Sequence, residues 1–180
     1  MATFKILPNY TYADYCNWEG RWEVIDGIPF AMSPTPSIRH QWIKTNLLSE
    51  FVVSIKKSGD KNLKVYPSID FIIEDHTIVQ PGCSIVYGPT KEKFLDFAPS
   101  LVAEVLSENT LLKDRHTKFS LYENFAIQYY MIVDADNESV EIYSLQNSKY
   151  VLQQHSPDIP FNFSFEDNCE IELLIKNIWE

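Results

Sequence analysis

Apolar residues fall in short runs along this chain, and the spacing inside each run predicts its element. Arg21–Ile25 and Ile28–Met32 flank Asp26-Gly27, the pattern of a tight two-residue hairpin. Ahead of it, Thr11 is placed to cap a short helix, with Asp14 answering it three residues on and Gly20 as its stop. Ser33 to Pro36 reads as a turn. Ile38, Trp42, Leu48, Phe51, Val52 and Ile55 then recur near the helical period, predicting a helix over 38–57 closed by Gly59. Leu63–Glu74 and Ile78–Tyr87 read as two strands joined at Asp75-His76, with Pro67 and Pro81 marking bends or edges.

The second half has the same grain. Leu101–Leu106 is nearly all apolar, as expected at a sheet centre. Asn109 or Thr110 is placed to cap a helix running to about Phe125. Ile127–Val133 and Val140–Leu145 read as strands, and Tyr150–Gln153 as a partner for the second. Glu170–Trp179 suits a helix or a strand equally. Two separated helices among clustered strands predict an α+β (mixed α/β) fold around one sheet, with an N-terminal helix and hairpin. No repeat or linker interrupts residues 1–180, so the expectation is a single domain.

Composition narrows the function classes. With 180 residues, 45% hydrophobic and 22% charged, the chain can bury a core without disulfides or metals. That excludes a disordered tail, a collagen-like rod and a disulfide-stapled miniprotein. Fifteen basic against 25 acidic residues give a net charge of −10. Such a chain does not bind nucleic acid by bulk attraction; it would need a local basic patch or metal ions. Lys56, Lys57, Lys61 and Lys64 are the nearest to a basic stripe, and they read as a solvated helix end. Cys16, Cys83 and Cys169 are widely spaced, which argues against zinc and for a reducing compartment. The first residues carry no secretory pattern, and no run is long and apolar enough for a membrane span. The expected location is cytoplasmic.

Glu104 is the most informative residue. Strand side chains alternate, so Val102, Glu104 and Leu106 share one face and Leu101, Ala103 and Val105 the other. A carboxylate in an apolar central strand is costly unless a cation, a metal or a donor meets it. Asp114, Lys118 and Tyr122 lie four residues apart on the next helix and line one stripe. Two readings stay open. Lys118 could face inward and reach Glu104, or Asp114 and Lys118 could form a surface pair worth about 0.3–0.5 kcal/mol. Spacing alone favours the surface pair. Glu23 sits in the hairpin beside Ile25, where an acid on its own reads as solvated. His40 opens the long helix, one turn before Lys44. Asp70 lies inside a predicted strand on the face of Ser68 and Ile72. His76, His116 and His155 form no ligand spacing. Dinucleotide-loop, phosphate-loop, HExxH and GxSxG patterns are all absent.

Four blocks in order carry a resemblance. They are Trp22-Glu23-Val24-Ile25-Asp26-Gly27 with Ser33-Pro34 and His40; Val79-Gln80-Pro81-Gly82-Cys83-Ser84-Ile85-Val86; Pro99-Ser100-Leu101-Val102-Ala103-Glu104-Val105-Leu106-Ser107 with Asn109-Thr110, Asp114, Lys118 and Tyr122; and Gln128-Tyr129-Tyr130-Met131-Ile132-Val133-Asp134. From about residue 10 to about residue 175, the chain resembles the Uma-two family of restriction endonucleases, a branch of the PD-(D/E)xK nuclease-like superfamily. The resemblance implies a restriction-endonuclease-like core, one mixed sheet flanked by helices, and magnesium-dependent hydrolysis of DNA phosphodiesters. It implies Glu104 as a metal ligand and Lys118 as the lysine that orients water and offsets charge on the phosphate. Glu23 and His40 match the family's early acidic and histidine positions, and Asp114 and Tyr122 match recurrent helix positions. One departure stands out: Gly82 follows Pro81 where the family has Asp. The site is thereby one carboxylate short, and Asp70 is the nearby candidate to replace it as a metal ligand. Gln128 and Tyr130 depart only in ways that suit packing or surface. DNA is the implied partner, and a homodimer is expected because two cuts need two sites. The alternative is a catalytically inactive relative with a binding or regulatory role, favoured by Gly82 and the acidic balance.

Overall fold

The computed structural model describes residues 7–32 and 37–180. The turn expected at Ser33–Pro36 lies outside them. In chain order the regular elements are α1 (Tyr12–Tyr15), β1 (Trp22–Ile25), β2 (Ile28–Ala31), α2 (Ile38–Ser58), β3 (Leu63–Pro67), β4 (Phe71–Glu74), β5 (Thr77–Val79), β6 (Cys83–Tyr87) and β7 (Leu101–Val105). A π-helical segment, Lys113–Lys118, runs directly into α3 (Phe119–Asn124). Then come β8 (Tyr129–Asp134), β9 (Ser139–Gln146), β10 (Lys149–Leu152), β11 (Phe161–Ser164), β12 (Glu170–Leu173) and a closing 3-10 turn, Ile175–Ile178.

Six strands form the main sheet in the order β10-β9-β8-β7-β6-β3. Its pairs are antiparallel except β7 with β8, which are parallel. Parallel neighbours need a crossover, and the helical segment 113–124 supplies it. That crossover lays the segment against the face of β7. A second sheet, β2-β1-β5-β4, and a β11-β12 ribbon complete the architecture. The fold is thus mixed α+β, as the pattern predicts, but with three sheets rather than one.

The alternation read in β7 sorts the core into two layers. Leu101, Ala103 and Val105 pack with Ile43, Leu47, Phe51 and Ile55 of α2 and with Phe163, Ile171 and Leu173 of the ribbon. Val102 and Leu106 pack on the opposite side with Val86, Tyr122, Tyr130 and Ile132. Glu104 belongs to this second face and points into the layer beneath the crossover.

Local signals explain most element ends. Thr11 and Asp14 form a reciprocal capping box at α1. Ser37 caps α2, and Gly59 ends it at φ 71°. Asp26 and Gly27 both take positive φ, 51° and 75°, as a type I′ hairpin turn requires. At Gly27 a Cβ would also meet Asn9 Cα and Oδ1 at 2.8 Å, so only glycine fits.

Several expectations are corrected. Residues 63–74 are not one strand. Pro67 ends β3 in the main sheet, and β4 joins the second sheet beside β5. Pro81 likewise separates β5 from β6. Proline offers no N–H to a ladder, so the chain changes sheet at both points. Gly20 does not stop α1, which ends at Tyr15 with Cys16 as its cap. The ambiguous tail is both things in turn, strand β12 and then the 3-10 turn. Strand β11 had no signal strong enough to predict it.

Candidate active site

Three elements bring four buried ionic side chains together. β7 supplies Glu104, β1 supplies Glu23, and the π-helical segment supplies Asp114 and Lys118. The Lys118 ammonium lies 2.7 Å from Glu23 Oε1, 2.8 Å from Glu104 Oε1 and 3.6 Å from Asp114 Oδ1. Lys118 is only 2% exposed, so the surface-pair reading of Asp114 and Lys118 is overturned. The wider π turn carries both side chains inward. The Tyr122 hydroxyl, one α turn further, donates to Glu104 Oε1 at 3.1 Å.

Glu23 is fully buried, not solvated. Its Oε1 also accepts the Gln80 backbone N–H at 2.9 Å, and Lys113 pairs with its Oε2. Burial alone would raise its pKa, but Lys118 and Lys113 outweigh burial and hold the carboxyl at about 2. Burial likewise opposes the charge on Lys118, yet Glu104, Glu23 and Asp114 hold its pKa well above the ordinary value. Lys118 is therefore a permanent cation and no proton acceptor at neutral pH. Asp114 is pushed up to about 7, first by burial and then by Glu104. Three carboxylates against two ammonium groups leave one negative charge over, and Asp114 is where it is least stable.

Position 82 faces this cluster directly. The Gly82 N–H donates to Glu104 Oε2 at 2.9 Å. A Cβ there would lie 2.9 Å from the Ala103 carbonyl oxygen and 3.2 Å from Glu104 Oε2. Asp70 is not brought to the cluster. Its Oδ1 accepts from the Tyr15 hydroxyl at 3.0 Å and from Gln80 Nε2 at 2.7 Å. Gln80 stands between Asp70 and Glu23, so Asp70 steadies the scaffold behind the site.

A cavity of about 380 Å³ opens over the cluster. Its lining includes Gly82, Glu104, Asp114 and Lys118 together with Arg21, His40, Lys44 and Gln80. His40 Nε2 donates to the Val105 carbonyl at 2.8 Å, which leaves Nδ1 unprotonated and without a partner. Burial lowers the His40 pKa, so the ring is neutral at pH 7. Lys113, Gln80, Arg21 and Lys44 were not singled out from sequence. His40 and Lys44, one helical turn apart, offered a signal for Lys44. Lys113 had none, because only the π turn aims it at Glu23.

Comparison with known proteins supplies the family. Residues 10–178 match the Uma2 family, described as "Putative restriction endonuclease". The chain belongs to the Uma2 family. An uncharacterized protein of Synechocystis sp. (strain ATCC 27184 / PCC 6803 / Kazusa) is 29% identical over 148 residues, covering 76% of this chain and 75% of that one. The crystal structure of "a putative nuclease belonging to DUF820 from Anabaena variabilis" superposes with a TM-score of 0.74. It is 18% identical and covers 94% of this chain and 97% of its own. The Uma2 chain described here thus has the restriction-endonuclease-like fold. No helix among its described residues is long and apolar enough to cross a membrane.

The donor set bears on the metal that a Uma2 nuclease implies. No group of three or more His, Cys, Asp or Glu residues suited to a metal stands together among the described residues. Two carboxylates on the cavity wall keep acceptor capacity: Glu104 Oε2 receives only the Gly82 N–H, and Asp114 Oδ1 has no hydrogen-bond partner. Magnesium commonly takes one or two carboxylates and completes its shell with water and phosphate oxygens. Glu104 and Asp114 line the cavity and are the carboxylates open to such an ion; Asp70 does not line it.

Proposed function

We propose that this Uma2 protein is a magnesium-dependent endonuclease acting on DNA phosphodiesters, with Glu104 and Lys118 at the centre of its site. The observation that carries the reading is the pairing of Glu104 with Lys118 in the lining of one cavity, with Glu23 buried behind them on the same ammonium. Glu104 and Asp114 would hold the ion, which when bound would neutralise phosphate oxygens and lower the pKa of a coordinated water.

The chain's own residues do the remaining work. Lys118 keeps a full positive charge beside Glu104, where charge builds on the phosphate during attack. Glu23 and Tyr122 fix the Lys118 ammonium and the Glu104 carboxylate, so neither must reorganise as the reaction proceeds. His40 lines the cavity and donates to the Val105 carbonyl, so its part is to position β7, and Glu104 with it. Lys113 holds the outer oxygen of Glu23 and closes the charge network.

Position 82 favours a second reading, a non-cleaving relative that keeps the fold for binding. The backbone there lies against Ala103 and Glu104, and glycine brings no carboxylate where the resemblance implies one. A cleavage assay separates the two. Supercoiled plasmid is incubated with magnesium or manganese and with wild type, Glu104→Ala or Lys118→Met protein. Nicking by wild type that both variants lose supports the nuclease. No nicking by wild type with either metal supports the binding relative.

A further inference from the structure

Seven of the described basic residues pair with carboxylates in this acidic protein: Arg39, Lys113, Arg115, Lys118, Lys149 and Lys176 do so, and His76 approaches Asp75. Two cations on the cavity wall do not. Arg21 directs Nε and one terminal nitrogen at Gln80 Oε1, at 3.0 and 2.7 Å, a neutral acceptor. Lys44 donates to the Ser68 hydroxyl at 2.7 Å, also neutral. Among the described residues neither makes an ion pair, although the chain carries 25 acidic residues.

Lys44 is largely buried, and its pKa is lowered by burial first and by Arg21 as well, against a raising influence of Glu104. Glu104 forms its ion pair with Lys118 and, among the described residues, none with Lys44. Each of the two cations is also oriented. Gln80, held by Asp70, aims Arg21, and Ser68 aims Lys44. The cavity lining also carries Glu104, Glu108, Asp114 and Asp136. Arg21 and Lys44 themselves are two oriented cationic donors with no carboxylate partner among the described residues, and such donors in a concave site suit phosphoryl oxygens.

We infer that Arg21 and Lys44 form a phosphate-binding subsite on the cavity wall. The subsite takes a phosphoryl group and positions it next to the one reacting at Glu104. This deepens the nuclease reading and rests on it for the identity of the chain that carries the phosphate. The phosphoryl group could belong to a strand or to a free nucleotide, and both present the same oxygens.

Binding rather than cleavage tests it. Titrations use inorganic phosphate, a nucleoside 5′-monophosphate and a short oligothymidylate. The proteins are wild type, Arg21→Gln/Lys44→Gln, and a Lys56→Gln/Lys57→Gln control from the exposed helix end, with thermal melting of each to verify folding. Lys44→Gln keeps a donor for Ser68. For a strand phosphate, the cavity variant loses at least about tenfold in oligonucleotide affinity, and the slope of log K against log salt falls by roughly 0.7 for a single neutralised phosphate. The control is unchanged. Weakened monophosphate binding with no oligonucleotide binding by wild type keeps the subsite, assigns it to a free nucleotide and removes the strand-cleaving reading. Oligonucleotide binding that the folded cavity variant retains in full, with an unchanged salt slope, overturns the subsite and leaves the nuclease reading standing. Wild type that binds none of the probes overturns it too.

Discussion

The Gly82 amide donates to the Glu104 carboxylate at 2.9 Å, so position 82 faces that carboxylate directly. Pro81 ends β5 and β6 starts at Cys83, and between them the backbone at 82 is drawn against β7. Position 82 thus offers Glu104 a backbone donor, which holds the carboxylate in place but adds no side-chain ligand.

Restoring the acid therefore has a steric consequence. In Gly82→Asp a Cβ would meet the Ala103 carbonyl oxygen at 2.9 Å, and backbone must shift to admit it. Loss of stability of about 1–3 kcal/mol is expected for the metal-free protein, and Gly82→Ala should lose a similar amount because the clash is at Cβ. Millimolar magnesium should then raise the melting temperature of the Asp variant more than that of the Ala variant. Equal shifts in both would show that position 82 does not reach the ion.

Lys118 is the charge on which the buried cluster depends. Lys118→Met leaves Glu23, Glu104 and Asp114 without their common partner. Removing one partner from a buried pair costs about 3–5 kcal/mol. The loss should be smaller at about pH 5 than at about pH 8, because the stranded carboxylates can then take up protons. Chemical denaturation at both pH values checks the size and the direction.

Much of this site is legible in the chain, and the illegible parts have physical causes. Glu104 stood out because period-2 alternation in an apolar strand leaves a carboxylate nowhere to hide. Lys118 needed the π turn, which residue spacing does not reveal, and spacing alone sent it to the surface. Glu23 looked solvated because its partners are distant in sequence: Gln80, Lys113 and Lys118 meet it only through tertiary packing. Asp70 is not legible because Pro67 suits a bend or an edge equally in the sequence, and only the structure makes it the point where the chain leaves the main sheet.

Asp114 sets a pH dependence of stability. Its carboxyl titrates near 3.8 when unperturbed and at about 7 in the folded protein. The folded state therefore holds the proton more tightly. Its contribution is complete below the unfolded pKa and fades as pH rises from about 4 to about 7. Asp114→Asn should flatten the fall in stability between about pH 5 and about pH 8. An Asp114→Asn protein with the same pH slope as wild type would remove the role assigned to this carboxyl.

Glu23 works in the opposite direction and in a separate window. Its carboxyl is held at about 2, against 4.5 unperturbed. The stabilisation is present above the unfolded pKa and is lost as pH falls from about 4.5 to about 2, in total on the order of 3 kcal/mol. Glu23→Gln should melt with less acid sensitivity in that range than wild type, as followed by circular dichroism.

The most direct test of the central claim is calorimetric titration of magnesium and manganese into wild-type and Glu104→Ala protein. The account predicts binding in wild type at millimolar metal or tighter, and its disappearance when Glu104 is removed. Wild type that takes up neither ion, or Glu104→Ala protein that binds as well as wild type, would contradict it.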